Sequence, residues 1–149
     1  MRTMRSPFAV GLALAMTVLG VGVTRSVSAQ GKTTWSGVFT AAQIESGQAL
    51  ATAKCGSCHG TNMKGELAPT LVGADFIDHW YDARLGELAT RVKNTMPSDA
   101  PGTLKPEEYA DILAFLLSEN GFPAGADTLK LTAEADVAAL DDIKITKTK

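Results

Sequence analysis

Aromatic side chains are scarce in this chain of 149 residues, at 6% of the composition, so few large rings are available as core material. No run of 18 or more apolar residues occurs after residue 30, which argues against a membrane-spanning helix in that part. The sequence also lacks internal repeats, low-complexity tracts and strand-rich regions. A length of 149 residues is that of a single domain.

The first 29 residues follow the pattern of a secretory signal peptide. Arg2 and Arg5 form a short basic region, an apolar stretch covers residues 8–23, and small residues at 27–29 suit a cleavage site. We therefore predict a signal peptide over residues 1–29 and a mature domain over residues 30–149, with its core at about 38–121 and a C-terminal extension over 122–149.

An uncleaved membrane anchor is the alternative for this N-terminus, because Arg25 lies between the apolar stretch and the expected cleavage site. Cleavage would remove three of the 14 basic residues and none of the 16 acidic ones, leaving 11 basic residues and a formal net charge of −5. That charge argues against nucleic acid as a partner.

Hydrophobic spacing predicts an all-α fold of three to five helices. The first covers residues 41–54, with Thr40 as N-cap and Gln43 three residues later in a capping box. The clearest helix covers residues 106–119, with Pro106 in its first position and an apolar stripe at spacings of three and four. Shorter helices are predicted over residues 75–81, 84–94 and 133–140.

Two further segments are predicted to be non-helical. Residues 30–37 are polar and are expected to form a flexible lead-in to the first helix. Near the C-terminus, Ile143 and Ile145 alternate with polar residues, which favours an extended segment packed on the core.

The first predicted helix leads directly into a C-x-x-C-H motif, which contains both cysteines of the chain, Cys55 and Cys58, followed by His59. This motif is typical of covalent haem attachment, in which the thiols bond the edge of the haem and the histidine ligates the iron. We therefore predict one haem c.

Three other interpretations of the thiols remain open. Cys55 and Cys58 could form a structural disulfide in an oxidising compartment, or a redox pair, although no surrounding βαβ pattern is visible. A zinc site needs four ligands, and beyond the thiols only His59 and His79 remain.

The second axial ligand has three candidates. Met63 follows His59 by four residues, a tether of at most ~14 Å that could hardly round the macrocycle and return to the iron. His79 is far enough along the chain, but it lies beside Trp80 in a short helix, where a surface histidine is the commoner outcome. Met96 is preferred, because Pro97 restricts it to non-helical geometry and a thioether is a suitable iron ligand.

A ligating histidine usually donates its second ring N–H to a carbonyl or carboxylate. The segment around Pro69 can return beneath His59, so we predict the Pro69 carbonyl as this acceptor and Leu71 as a haem contact. An ordinary proline turn is the alternative.

The order C-x-x-C-H, Pro69-x-Leu71, Met96-Pro97 and an aromatic-bearing last helix resembles class I cytochrome c over residues 38–121. The resemblance implies an all-α fold in which the first and last helices cross, with Gly47 against Tyr109 or Phe115. It also implies that haem is attached outside the bacterial cytoplasm, hence a periplasmic location.

Several segments are similar to cytochrome domains associated with quinoprotein (PQQ) dehydrogenases, namely residues 71–76, 95–97, 108–115 and 120–125, with Trp80. This resemblance implies electron transfer from a dehydrogenase to a later carrier or oxidase. The chain carries no dehydrogenase domain, so a dehydrogenase would be a separate partner.

These patterns predict a periplasmic electron carrier rather than an enzyme, because iron ligated by both His59 and Met96 has no position for a substrate. The alternatives are a haem enzyme or gas sensor with a displaceable sixth ligand, and an anchored cytochrome module of a membrane respiratory complex. Lys54, Lys64 and Lys93 could surround the haem edge and steer an acidic partner, or they could be scattered surface charges.

Overall fold

A computed structural model describes residues 31–149, so the predicted signal peptide lies outside the described residues. This part of the chain folds into five α-helices, and its only β-type pairings are isolated bridges at Lys144. The helices are α1 (Ala41–His59), α2 (Ala74–Trp80), α3 (Leu85–Thr95), α4 (Pro106–Glu119) and α5 (Glu134–Leu140), preceded by a 3₁₀ turn at Thr34–Ser36. The predicted all-α class is confirmed.

The start of α1 has the predicted cap. The Thr40 hydroxyl accepts the Gln43 N–H at 3.3 Å, and the Gln43 side-chain oxygen accepts the Thr40 N–H at 3.3 Å. The helix continues past the predicted end at residue 54 and includes the whole C-x-x-C-H motif. It ends at His59 and is followed by Gly60 as its C-cap, whose φ of +77° lies in a region that non-glycine residues rarely adopt.

Helices α1 and α4 form the main helix pair, and Gly47 allows them to approach closely. A Cβ atom at Gly47 would overlap the backbone carbonyl oxygen of Asp111 and lie 2.9 Å from Cβ of Phe115. Of the two aromatic residues predicted as its partner, Phe115 therefore fills that position, whereas Tyr109 lies elsewhere on α4.

Helix α4 is the centre of the core. Its bounds match the predicted range, and Glu108 accepts the Lys105 N–H at 2.8 Å, so the helix start is stabilised although residue 105 is a poor cap. The helix is buried on most of its surface, through Tyr109, Ala110, Ile112, Leu113, Ala114, Phe115, Leu116 and Leu117. Such a helix can position other elements on several sides at once.

The prediction of a flexible lead-in over residues 30–37 is wrong for the part that the structure describes. The Thr34 N–H donates to the Lys144 carbonyl at 2.9 Å, and the Trp35 indole N–H donates to the Thr146 carbonyl at 3.0 Å. The Trp35 ring also packs edge-to-face on Phe122, with centroids 5.0 Å apart. Backbone pairing with the C-terminal segment thus holds this polar stretch in place.

Residues 122–149 contribute to the same core. Ile143 and Ile145 are buried, and their segment pairs with residues 82–85 through main-chain hydrogen bonds, so the predicted extended segment is confirmed. Leu129 is also buried, and its N–H and carbonyl both bond the side-chain amide of Gln43, at 3.0 and 2.9 Å. The tail therefore ties the start of α1 to the rest of the domain.

Within residues 31–149, none of the helices combines the length and the apolar character that crossing a membrane requires.

Candidate haem-attachment site

The last turns of α1 carry the two thiols and the histidine. Cys55, Cys58 and His59 stand at i, i+3 and i+4, a spacing that places them on one side of a helix. Both cysteines are half-buried and free of any disulfide. The helix therefore presents two thiols and one imidazole to the same region.

His59 is held by one well-defined hydrogen bond. Its side chain is 7% exposed, and Nδ1 lies 2.7 Å from the Pro69 carbonyl oxygen. A carbonyl only accepts, so Nδ1 must carry the proton, which leaves the lone pair of Nε2 for a metal. The predicted partner of His59 is confirmed, and the arrangement is the one that a ligating histidine needs.

The loop after the motif brings Pro69 to this position by folding back onto the end of α1. The Cys58 carbonyl accepts the N–H groups of Leu67 and Ala68, each at 2.9 Å. The His59 carbonyl accepts the Gly65 N–H at 2.8 Å, and Gly65 has a φ of +88° that favours glycine. The carbonyls left unpaired at the helix end thus orient the loop that orients the imidazole.

The electrostatics of the thiols argue against a redox pair. Burial raises the pKa of Cys55, and the nearby Cys58 raises it further. Cys55 is consequently held as a neutral thiol at neutral pH. Reactive cysteines in C-x-x-C redox pairs have a lowered pKa, which is the opposite environment.

The described residues do not form a zinc site either. Across the described ranges, no three side chains among histidine, cysteine, aspartate and glutamate converge as ligands of one metal ion. Cys55, Cys58 and His59 share a helix side without pointing to one centre. In a c-type haem the thiols bond the edge of the macrocycle, whereas the imidazole ligates the iron at its centre, so the three side chains must point to different places. These residues therefore fit a c-type haem.

Met96 directly follows α3 and is half-buried. Its N–H still donates to the Val92 carbonyl at 2.9 Å, while its φ of −128° and ψ of 149° take the chain out of the helix. The Met96 carbonyl accepts the hydroxyl of Tyr109 at 2.7 Å. Both backbone polar groups of Met96 are therefore engaged, one by α3 and one by α4.

The other two candidate ligands occupy different environments. Met63 is fully buried in a cluster with Ala51, Ile112, Phe115 and Leu116, between α1 and α4. His79 is exposed on α2, with its ring edge-to-face on Trp80 at 5.2 Å between centroids. Met63 packs as a core residue and His79 as a surface residue.

Sequence reasoning missed Asn120, which follows α4. Its side-chain NH₂ donates to the carbonyls of Leu71 and Leu116, at 3.0 and 2.8 Å, and its oxygen accepts the Gly73 N–H at 2.9 Å. Asn120 thereby fixes the segment of Leu71, which is half-buried against the core. An asparagine at a helix C-terminus was the available signal, but its partners depend on tertiary structure.

Comparison with known proteins identifies one family. A family model described as cytochrome C oxidase, cbb3-type, subunit III matches residues 42–116, half of the 149 residues, and includes the C-x-x-C-H motif. Neither the curated proteins nor the solved structures contain a match to the chain.

Proposed function

The chain belongs to this family of cytochrome c domains, and we propose that it is a class I cytochrome c that carries electrons with one haem c. In this proposal Cys55 and Cys58 attach the haem, and His59 and Met96 ligate its iron. The observation that carries the proposal is the buried imidazole of His59, whose Nδ1 is committed to Pro69 and whose Nε2 is available to a metal. Haem-based electron transfer is the activity that the family indicates.

When bound, the haem supplies a reversible one-electron couple. The protein contributes the geometry of the ligands: His59 is oriented through Pro69, and the backbone of Met96 is held between α3 and α4. Histidine and methionine together raise the reduction potential relative to two harder ligands. Because His59 and Met96 would both be bound to the iron, a substrate would have no access to it, which supports a carrier rather than an enzyme.

Substitution of the two methionines tests the axial ligand. Oxidised Met96→Ala protein should lose the sulfur-to-iron charge-transfer band that the wild type shows. Met63→Leu is the matched control, since Met63 is fully buried in an apolar cluster and leucine conserves its volume. This variant should keep the band. A band that survives in Met96→Ala would refute the assignment, and loss in Met63→Leu alone would transfer it to Met63.

We further propose export, with residues 1–29 removed and residues 30–149 forming the periplasmic protein. The basic, apolar and small-residue regions of the N-terminus support this proposal. Sequencing of the N-terminal residue of the mature protein tests it. A first residue near position 30 agrees with export, whereas an intact N-terminus found in membranes would favour an anchored module of a respiratory complex.

For the partners, we propose a dehydrogenase as electron donor and a respiratory carrier or oxidase as acceptor. Residues 71–76, 95–97 and 120–125 are similar to cytochrome domains of quinoprotein dehydrogenases and support the donor, while the family description names an oxidase and supports the acceptor. Stopped-flow reduction of the oxidised protein by a PQQ dehydrogenase with its substrate tests the first step. A reduction rate no higher than the rate measured with the substrate alone, without the dehydrogenase, would contradict this donor.

The alternative function is that of a haem enzyme or gas sensor, which requires an open or readily displaced sixth ligand position on the iron. Carbon monoxide added to the reduced protein distinguishes it from a carrier. We expect slow and weak binding, with the spectrum of the reduced protein largely retained. Rapid and tight binding would favour the enzyme or sensor.

A further inference from the structure

Tyr109 is a buried residue whose hydroxyl contacts the backbone of Met96, the proposed iron ligand. Its side chain is 1% exposed, and its hydroxyl donates to the Met96 carbonyl at 2.7 Å. A buried hydroxyl without a partner would cost free energy, and the same holds for the carbonyl. The contact joins residues 13 positions apart, one directly after α3 and the other in α4.

Apart from Leu104, which packs against the core, most of the segment between α3 and α4 lies at the surface. Ser98, Asp99, Pro101, Gly102 and Thr103 are all exposed. Within residues 97–104 the hydrogen bonds are local, from the Ala100 N–H to Pro97 and from the Thr103 hydroxyl to Ala100. Among the described residues, the Tyr109 hydroxyl is thus the one hydrogen-bond donor that ties the Met96 end of this segment to α4.

We propose that Tyr109 is a positioning residue that keeps Met96 on the iron by fixing the Met96 carbonyl to α4. The inference rests on the proposed ligation by Met96 and goes beyond it. Tyr109 does not touch the metal in this account. Its hydroxyl lowers the population of the state in which the Met96 loop has moved away and the sixth position is open.

Competition with imidazole measures that population. Imidazole binds oxidised iron only after the iron–sulfur bond breaks, so an iron–nitrogen bond replaces it and no electron is transferred. The apparent dissociation constant therefore scales inversely with the fraction of open protein. Tyr109→Phe removes only the hydroxyl, and we expect imidazole to bind about fivefold more tightly, the factor that corresponds to a net hydrogen bond of about 1 kcal/mol.

Tyr81 provides the matched control, because it is the only other tyrosine of the chain and is 56% exposed. Tyr81→Phe should leave the imidazole dissociation constant unchanged. Thermal unfolding is recorded in parallel. If Tyr109→Phe lowers the melting temperature but leaves imidazole affinity at the wild-type value, Tyr109 is merely structural and the proposal is overturned.

A second measurement keeps the proposal testable if Tyr109→Phe does not accumulate. In the Tyr81→Phe background, fluorotyrosine incorporation labels Tyr109 alone and makes its hydroxyl a stronger donor. Imidazole should then bind more weakly, and an unchanged or tighter affinity would count against the proposal.

The Met96→Ala variant separates the two claims. If its sulfur-to-iron band persists, the ligand assignment fails and the inference fails with it. If that band is lost while Tyr109→Phe binds imidazole as the wild type does, the ligand assignment stands and only the role of Tyr109 is refuted.

Discussion

Replacement of Gly47 by alanine should destabilise the domain, because the close contact between α1 and α4 leaves no space for a methyl group. The new Cβ would overlap the Asp111 carbonyl oxygen and lie 2.9 Å from Cβ of Phe115. Overpacking of a core costs about 1–3 kcal/mol, and the upper value applies here because the obstacle is backbone rather than a flexible side chain. Alanine recovers about 1 kcal/mol through its higher helix propensity.

The net loss for Gly47→Ala is therefore about 2 kcal/mol, which corresponds to a decrease in melting temperature of roughly 6–10 °C for a domain of this size. Thermal unfolding of the oxidised protein, followed by far-ultraviolet circular dichroism, measures it. Gly56→Ala is the matched control in the same helix, since its Cβ would meet its nearest neighbour, Thr61 Cα, at an ordinary 3.7 Å. A melting temperature of Gly47→Ala at or above that of the wild type, or an equal decrease in Gly56→Ala, would refute the reasoning.

Three further predictions concern the supports of the site, and denaturant unfolding measures each of them. Thr40→Ala removes the N-cap of α1 and should lower the free energy of unfolding by about 1 kcal/mol. Thr52→Ala is the control, because Thr52 is exposed inside the same helix and its hydroxyl bonds only the Gln48 carbonyl; it should change the free energy of unfolding by less than about 0.5 kcal/mol. Asn120→Ala deletes three hydrogen bonds and should cost about 2 kcal/mol. Asn120→Asp keeps the acceptor for the Gly73 N–H but places a carboxylate oxygen against the Leu71 and Leu116 carbonyls, so it should cost at least as much; an Asp variant as stable as the wild type would show that the two donated bonds contribute nothing. Deletion of residues 126–149 removes buried Leu129, Leu131, Leu140, Ile143 and Ile145, each worth about 1.5–3 kcal/mol, so no cooperative unfolding transition should remain, while deletion of residues 147–149 should cost under about 1 kcal/mol.

The sequence predicted the elements whose signals are local. Thr40 and Gln43 form a capping box that needs only four consecutive residues, and Pro106 begins a helix whose apolar stripe is visible in the sequence. The same holds for the haem motif, because its chemistry depends on the spacing of Cys55, Cys58 and His59.

Features formed between distant segments were not predictable in the same way. Residues 31–37 are polar and were expected to be flexible, yet main-chain groups such as the Thr34 N–H pair with the C-terminal segment, and such pairing leaves no side-chain pattern. Likewise, nothing local to Tyr109 indicates that its hydroxyl meets the Met96 carbonyl, since that contact depends on how α3 and α4 pack.

The central claim is that one covalently attached haem in this cytochrome c-family protein carries single electrons. Stepwise reduction of the purified, oxidised protein with a calibrated one-electron reductant, followed by its visible absorption, tests this claim most directly. We expect uptake of one electron per chain in a single one-electron transition, with the haem still attached to the chain after denaturation. Uptake of more than one electron, the absence of a reducible chromophore, or haem that dissociates on denaturation would contradict it.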